Sequence, residues 1–332
     1  MSSATFTNPV AEGYFADPFV MRHGDRWYAY GTGREGGAAA AERGRVFEVR
    51  RSGDLVHWES LGHALETPDL PPPEQPGEHR EYWAPELAWI DARLYLYYST
   101  GIEDRGHVIR VAVADDPEGV FEDLGVELTP HERFAIDADP FQDDDGQRYL
   151  YYARDVLDGD RAGTSIAVDR LVSPTRLAGE PVAVLPPSAD WQLYKRRRLI
   201  YGTVYDWHTL EGPFVRKRLG RYWMLFSGGA WTGDTYAVSW AVADSPLGPF
   251  TEPAAGREGD PAILLRTVPG LVGPGHCSVV EGPDGEDWLA YHAWDEGLEA
   301  RRLCLDRIEW TPDGPRTAGP TVGPQPAPAT PR

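Results

Sequence analysis

The sequence is poor in cysteine: Cys277 and Cys304 are the only two among 332 residues. Without a Cys-x-x-Cys pair they exclude a disulfide framework and a thiolate zinc site, and leave open a single disulfide between them. Positive charge is also scarce. Against 52 Asp and Glu stand 32 Lys and Arg, a formal net charge of −20 at pH 7. A phosphate backbone or an anionic membrane is repelled by such a surface, so neither nucleic acid nor membrane is an expected partner. No apolar run reaches membrane length, and the opening "MSSATFTNPVAEG" has neither a basic region nor an apolar core. As written, the chain is expected to be cytoplasmic or a trimmed secreted form. Helical periodicity is rare, and the Ala-rich stretch at 36–44 is too short and Gly-flanked to change the class. A phosphate loop is lacking, since "GTGREGG" (31–37) has no following Lys-Ser/Thr. Gly-x-Ser-x-Gly and His-Glu-x-x-His are lacking too.

Aromatic and turn-forming residues are plentiful: 12 Trp, 16 Tyr and 10 Phe beside 36 Gly and 30 Pro. That pairing implies many short strands joined by tight loops. One aromatic-rich strand recurs, each time after Gly, Asp or Asn: "GDRWYAYG" (24–31), "DARLYLYYS" (91–99), "GQRYLYYA" (146–153), "GRYWMLFSG" (220–228) and "GEDWLAYHAW" (285–294). Trp27, Leu94, Tyr149, Tyr222 and Trp288 are then equivalents in five units. "HVIRVAVADDPEGVFED" and "YAVSWAVADSPLGPFTE" are near copies that follow two of them. About four strands per unit is the content of a propeller blade. The reading is an all-β, five-bladed β-propeller in one domain, residues 1–315, with its active site at the mouth of the central channel. The Pro-rich tail, 316–332, is expected to be disordered.

The innermost strands of a propeller start at the channel mouth, so the polar residues there converge from distant sequence. They are Asp17, Glu86, Asp137 with Asp139, Glu211 and His276, taken unit by unit. Glycoside hydrolysis needs one carboxyl group that stays protonated and one that stays ionised, and a third carboxylate can raise the pKa of the first. Trp83, Tyr205, Trp207 and Trp231 lie close by in sequence and suit the stacking of sugar faces. Each feature also has a plainer reading. Asp before Pro often only punctuates a turn, and Glu86 can serve the blade rather than a substrate. "DDDG" (143–146) lacks the spacing of a calcium loop and reads as a hairpin turn. "YKRRRL" (194–199) is either a solvated basic run or part of the pocket mouth.

Six segments, in order and spread over the units, resemble glycoside hydrolase family 43, a family of five-bladed propellers containing α-L-arabinofuranosidases, β-xylosidases and arabinanases. They are "NPV…YFADPFV" (8–20), "YWAPEL" (82–87), "FAIDADPFQDDDGQRYL" (134–150), "LEGPFV" (210–215), "GPGHCSVV" (273–280) and "RRLCLDRIEW" (301–310). The resemblance implies an inverting glycosidase acting on arabinose- or xylose-containing oligosaccharides, most simply an α-L-arabinofuranosidase, with β-xylosidase or endo-arabinanase as alternatives. A propeller that binds carbohydrate without catalysis is the alternative from another class. By the same resemblance Asp17 is the general base, Glu211 the general acid and Asp137 the modulator of the acid's pKa. Trp83, Glu86, Trp207 and Arg301 are implied to bind substrate. His276 is implied to hold a channel ion, often calcium, through water; no cofactor is required.

One internal conflict concerns the modulator. "ADPF" occurs at 16–19 and again at 138–141, and counting back from the turn glycines Gly24 and Gly146 pairs Asp17 with Asp139. The family offset selects Asp137 instead, with Asp139 as runner-up.

Overall fold

The computed structural model describes residues 4–33, 44–253 and 262–329. The Ala-rich stretch at 36–44 lies outside them but for Gly44, as do residues 34–37 of "GTGREGG". The aromatic runs form strands throughout, and no helix among the described residues is long and apolar enough to cross a membrane.

The first sheet is an antiparallel meander of Ala16–His23, Arg26–Thr32, Arg45–Ser52 and Trp58–Glu66. The second repeats it with Arg80–Ile90, Arg93–Ile102, Arg105–Ala114 and Glu122–Glu127. The third opens with Ala135–Gln142, Arg148–Val156 and Gly163–Ser173, and carries an added hairpin, Leu193–Ile200 with Thr203–His208. Leu210–Arg218 and Arg221–Gly228 begin the fourth sheet, Val272–Glu281 and Asp287–Trp294 the fifth. The opening strands meet in a ring: first against second, second against third, third against fourth, fourth against fifth, and fifth against first. The arrangement is propeller-like. Trp27, Leu94, Tyr149, Tyr222 and Trp288 each stand second in the second strand of their sheet, so the sequence repeat is a repeat of structure.

Because each sheet is packed between two others, both faces of the second strands are buried, and they read as aromatic runs rather than as alternating polar and apolar residues. Tyr30, Tyr97, Tyr98, Tyr151, Tyr152, Trp223 and Tyr291 are all fully buried, each contributing roughly 1.5–3 kcal/mol of burial. Cys277 and Cys304 are buried free thiols, so the disulfide left open by the sequence does not form.

The two chain ends close the ring together. Asn8 donates to the Leu305 carbonyl at 3.0 Å and to the Thr321 carbonyl at 3.1 Å, and accepts the Leu305 N–H at 2.8 Å. Thr5–Phe6 pairs with Gln325–Pro326. The Pro-rich tail is thus not disordered through residue 329, as its composition suggested; backbone pairing and the Asn8 amide hold it.

Candidate active site

Each opening strand is interrupted by a bulge at one register position, after Ala16, Trp83, Ile136, Glu211 and Gly275. The next residue takes a positive φ in every case: Asp17 (49°), Ala84 (49°), Asp137 (60°), Gly212 (55°) and His276 (45°). Such a conformation costs a non-glycine residue about 1–3 kcal/mol and persists only where neighbours enforce it. Here side chains of the preceding sheet do so by accepting the bulged N–H. Thr32 Oγ1 takes Ala84 (2.8 Å), Ser99 Oγ takes Asp137 (3.0 Å), Ser227 Oγ takes His276 (2.8 Å) and His292 Nδ1 takes Asp17 (3.0 Å). At the fifth junction Ala153 has no acceptor to offer, and the Gly212 N–H goes to Asp137 Oδ2 at 2.9 Å.

The register settles which copies correspond. Asp17 and Asp137 are equivalent bulge residues, whereas Asp139 matches Phe19. Counting from the turn glycine misleads because Gly24 and Asp25 alone turn the first hairpin, while residues 143–147 turn the third. "DDDG" is a hairpin turn, closed by Asp143 N–H to Gln147 O at 2.9 Å.

Asp17, Asp137, Glu211, His276 and Arg301 come together. Asp17 Oδ1 lies 3.2 Å from Arg301 Nη1, 3.5 Å from His276 Nδ1 and 3.3 Å from His292 Nδ1. Burial opposes the charge of Asp17, but Arg301 first, and then His276, hold its carboxyl well below the usual range. Glu211 behaves oppositely. Burial, aided by the Asp17 charge, pushes it up to about 7 against the Tyr236 hydroxyl, which donates to Oε1 at 2.6 Å. Burial, then Glu211 and Asp17, push Asp137 up as well, while the Gly212 N–H draws it down. One carboxyl group kept ionised and a neighbouring pair inclined to keep a proton form the division of labour that acid–base hydrolysis needs.

Glu211 lies half-buried in a cavity of about 90 Å³ walled by Trp83, Phe134, Trp207, Tyr194 and Trp231. Trp83 is fixed by stacking on buried His107, with ring centroids 3.7 Å apart. Trp207, Tyr194 and Arg198 come from the added hairpin, and Arg198 bridges to Asp104 of the second sheet at 2.9 Å. Of the basic run, Lys195, Arg196 and Arg197 are exposed, while Tyr194 and Arg198 line the pocket. A larger cavity of about 570 Å³ lies on the hairpin's other face, around Arg161, Asp190 and Asp206, and contains none of the clustered carboxylates.

Arg301 is held by Tyr14, whose hydroxyl accepts from Nε at 2.8 Å. Trp231 and Trp294 flank its guanidinium at 4.8 and 5.6 Å.

Glu86 departs from its expected place. It is buried two residues beyond the bulge and hydrogen-bonds Asp139, with Arg216 alongside, rather than lining the cavity that Trp83 walls. Burial and then Asp139 push Glu86 up; burial raises Asp139 to about 7 against the pull of Arg216 and of the Val215 N–H. Asp139 Oδ2 accepts that N–H at 2.7 Å, so Glu86, Asp139 and Arg216 tie three opening strands together. His276 reaches the cluster through Nδ1, and its buried Nε2 has no hydrogen-bond partner among the described residues. No group of three or more His, Cys, Asp or Glu arranged to hold a metal occurs among the described residues.

Sequence reasoning missed Tyr236, His292, Tyr14 and Trp294. By register His292 stands where the other aromatic strands place Thr32, Ser99, Ala153 and Ser227. Counted from Trp288, however, it lies one residue earlier than Thr32, Ser99 and Ser227 do from Trp27, Leu94 and Tyr222, so the sequence repeat did not reveal it.

Comparison with known proteins agrees with the geometry. The model of "Glycosyl hydrolases family 43" matches residues 6–315. The chain is 29% identical over 325 residues to the β-D-galactofuranosidase of Aspergillus niger, covering 92% of this chain and 83% of that protein. It is 27% identical to an extracellular exo-α-(1→5)-L-arabinofuranosidase of Streptomyces avermitilis, covering 94% of this chain but only 63% of that longer protein. Among solved structures, a thermostable family-43 glycoside hydrolase superposes with a TM-score of 0.81 at 31% identity, covering 98% of this chain and 100% of that one.

Proposed function

The chain belongs to glycosyl hydrolases family 43, and from that premise we propose that it is an inverting α-L-arabinofuranosidase acting on chain ends. The observation that carries this reading is the opposite bias of two carboxyl groups in one site: Asp17 held low by Arg301 with His276 beside it, Glu211 raised to about 7. In the proposed reaction Glu211 donates its proton to the leaving glycosidic oxygen while Asp17 takes a proton from water on the opposite face of the sugar. The water oxygen forms the new bond to the anomeric carbon, so configuration inverts and Glu211 ends ionised. The Asp17 charge helps to keep the proton on Glu211, and Asp137, itself inclined to keep a proton, forms with Glu211 a pair in which ionisation of one carboxyl group holds the proton on the other.

We read the five sheets as five blades and the carboxylate cluster as the mouth of their channel; the closed ring of opening strands supports both. Trp83 and Trp207 would pack on the terminal sugar and Arg301 would reach it. For the ion expected of the family, His276 suits a water-bridged contact through its Nε2, which has no partner among the described residues. An ion there would add positive charge beneath the sugar; the proton transfers belong to Asp17 and Glu211.

The furanose preference is supported by the two relatives, one named for a galactofuranoside and one for an arabinofuranoside. A β-D-galactofuranosyl and an α-L-arabinofuranosyl ring share their ring configuration and differ in one exocyclic carbon, and the small cavity favours the pentose. Assay of aryl α-L-arabinofuranosides, β-D-galactofuranosides and β-D-xylosides tests this. Preference for the first is expected; inactivity on all three would overturn it. Glu211→Gln separates an enzyme from a lectin-like propeller: it should abolish most turnover and leave sugar binding intact.

A further inference from the structure

Four of the five bulged amides are capped in one way, by a side chain from the second strand of the preceding sheet. Three of those caps use a short hydroxyl. The fourth, on Asp17, uses an imidazole, and the difference has consequences across the site.

His292 is fully buried, and its Nδ1 accepts the Asp17 N–H at 3.0 Å. A ring nitrogen that accepts cannot carry the proton, so the neutral ring is fixed with its hydrogen on Nε2. Burial draws the pKa of His292 down to about 4, consistent with a neutral ring. The imidazole lies parallel to the Tyr236 ring, with 7° between planes and centroids 5.8 Å apart, and the Tyr236 hydroxyl donates to Glu211 Oε1 at 2.6 Å. The stack has room because Gly275, the register partner of His292, has no side chain. A Cβ there would sit 1.9 Å from Tyr236 Cε1.

We propose that His292 and Tyr236 are positioning residues forming one brace, which fixes the proposed base Asp17 at one end and the proposed acid Glu211 at the other. A hydroxyl at 292 would cap the Asp17 amide as Thr32, Ser99 and Ser227 cap theirs, but it would leave the Tyr236 ring without its neighbour. The imidazole serves both ends. The inference rests on the glycosidase reading for its kinetic consequences, but the brace is a matter of geometry and tautomer that can be observed without turnover.

The test has two arms on the full chain. In the first, wild type, His292→Ala, His292→Asn, Tyr236→Phe and Gly275→Ala are compared for kcat and KM on an aryl α-L-arabinofuranoside, corrected for folded fraction by thermal melts. Misplacement of a reacting group by about 1 Å costs on the order of a hundredfold. His292→Ala should lose about that factor in kcat with KM changed little, the pattern of an interaction realised in the transition state. His292→Asn, whose amide oxygen can accept the same N–H, should recover roughly tenfold of the loss. Gly275→Ala should reproduce the defect while leaving both hydrogen-bonding side chains present, and Tyr236→Phe should lose less than His292→Ala. A purely structural role would lower melting temperature with kcat per folded molecule unchanged, and that result overturns the proposal; so does equal kcat for the Ala and Asn variants. In the second arm, ¹⁵N NMR of the imidazoles, with the His292 signals assigned by their loss in His292→Asn, should show the Nε2–H tautomer. An Nδ1–H tautomer overturns the brace whether or not the wild type is active. A wild type that turns over no glycoside but shows the Nε2–H tautomer keeps the brace and overturns the functional reading alone.

Discussion

The Gly212 amide donates to Asp137 Oδ2 at 2.9 Å, binding the carboxylate of the third sheet to the residue that follows Glu211 in the fourth. The bond exists because Ala153 stands where three other sheets place a hydroxyl, so this amide alone among the bulges turns to a carboxylate. Asp137 thus gains a fixed position beside the proposed acid from the loss of an ordinary cap.

Asp137→Asn should remove the carboxyl partner whose ionisation holds the proton on Glu211 and lower kcat/KM by about 10²–10³, within the range of acid–base contributions. The alkaline limb of the pH–rate profile should move to lower pH. Asp139→Asn should leave that limb in place, because Asp139 faces Glu86 and Arg216, and should instead cost about 1–3 kcal/mol of stability in denaturant melts. Interchanged effects would reverse the assignment of the two aspartates.

The acid must be protonated and the base ionised, so the rate should fall above the pKa of Glu211 and below that of Asp17. With Glu211 near 7, the alkaline limb of kcat/KM should lie close to neutral pH. Tyr236→Phe deletes a hydrogen bond that favours the carboxylate, which should raise the pKa of Glu211 and carry the limb upward. A limb that moves down, or stays, contradicts the role of Tyr236 as the donor.

Arg198 and Asp104 join the added hairpin to the second sheet at 2.9 Å across the wall of the pocket. Opening that wall should admit chain interiors. Arg198→Ala and Asp104→Ala should gain internal cleavage of linear arabinan, read as a fall in viscosity per reducing end released, while aryl glycoside turnover stays within about tenfold. Unchanged product lengths in both variants would show that this pair does not select chain ends.

Asn8 hydrogen-bonds the fifth sheet and the C-terminal segment at once, sharing the Leu305 carbonyl with Gln325 Nε2 at 3.1 Å. Asn8→Ala should cost about 1–3 kcal/mol in denaturant unfolding, because it strands buried partners as well as losing its own bonds. Turnover per folded molecule at 25 °C should be unaffected, since no atom of Asn8 touches the carboxylate cluster.

The five-unit repeat was legible in the sequence because both faces of the second strands are buried, which writes aromatic runs around Trp27, Leu94, Tyr149, Tyr222 and Trp288. Asp17, Glu211, Arg301 and His276 were legible as well, each within a short segment at the start of a strand. Three things were not. The equivalence of Asp17 with Asp137 depends on a bulge whose amide is capped by a residue 275 positions away in one case and 38 in the other. Glu86 faces inward because it lies two residues past the bulge, a phase that spacing alone does not reveal. Tyr236 shows its importance only in the folded chain, where its hydroxyl reaches Glu211 and its ring fills the space that Gly275 leaves. The tail misled in the opposite sense: proline content suggests disorder, but pairing with Thr5–Phe6 needs only two extended residues.

The central claim is direct displacement by water, with Asp17 as base and Glu211 as acid. Proton NMR of the first product released from an aryl α-L-arabinofuranoside, recorded before mutarotation, tests it most directly. The account predicts that β-L-arabinofuranose appears first; initial release of the α-anomer would show a retained configuration and contradict it.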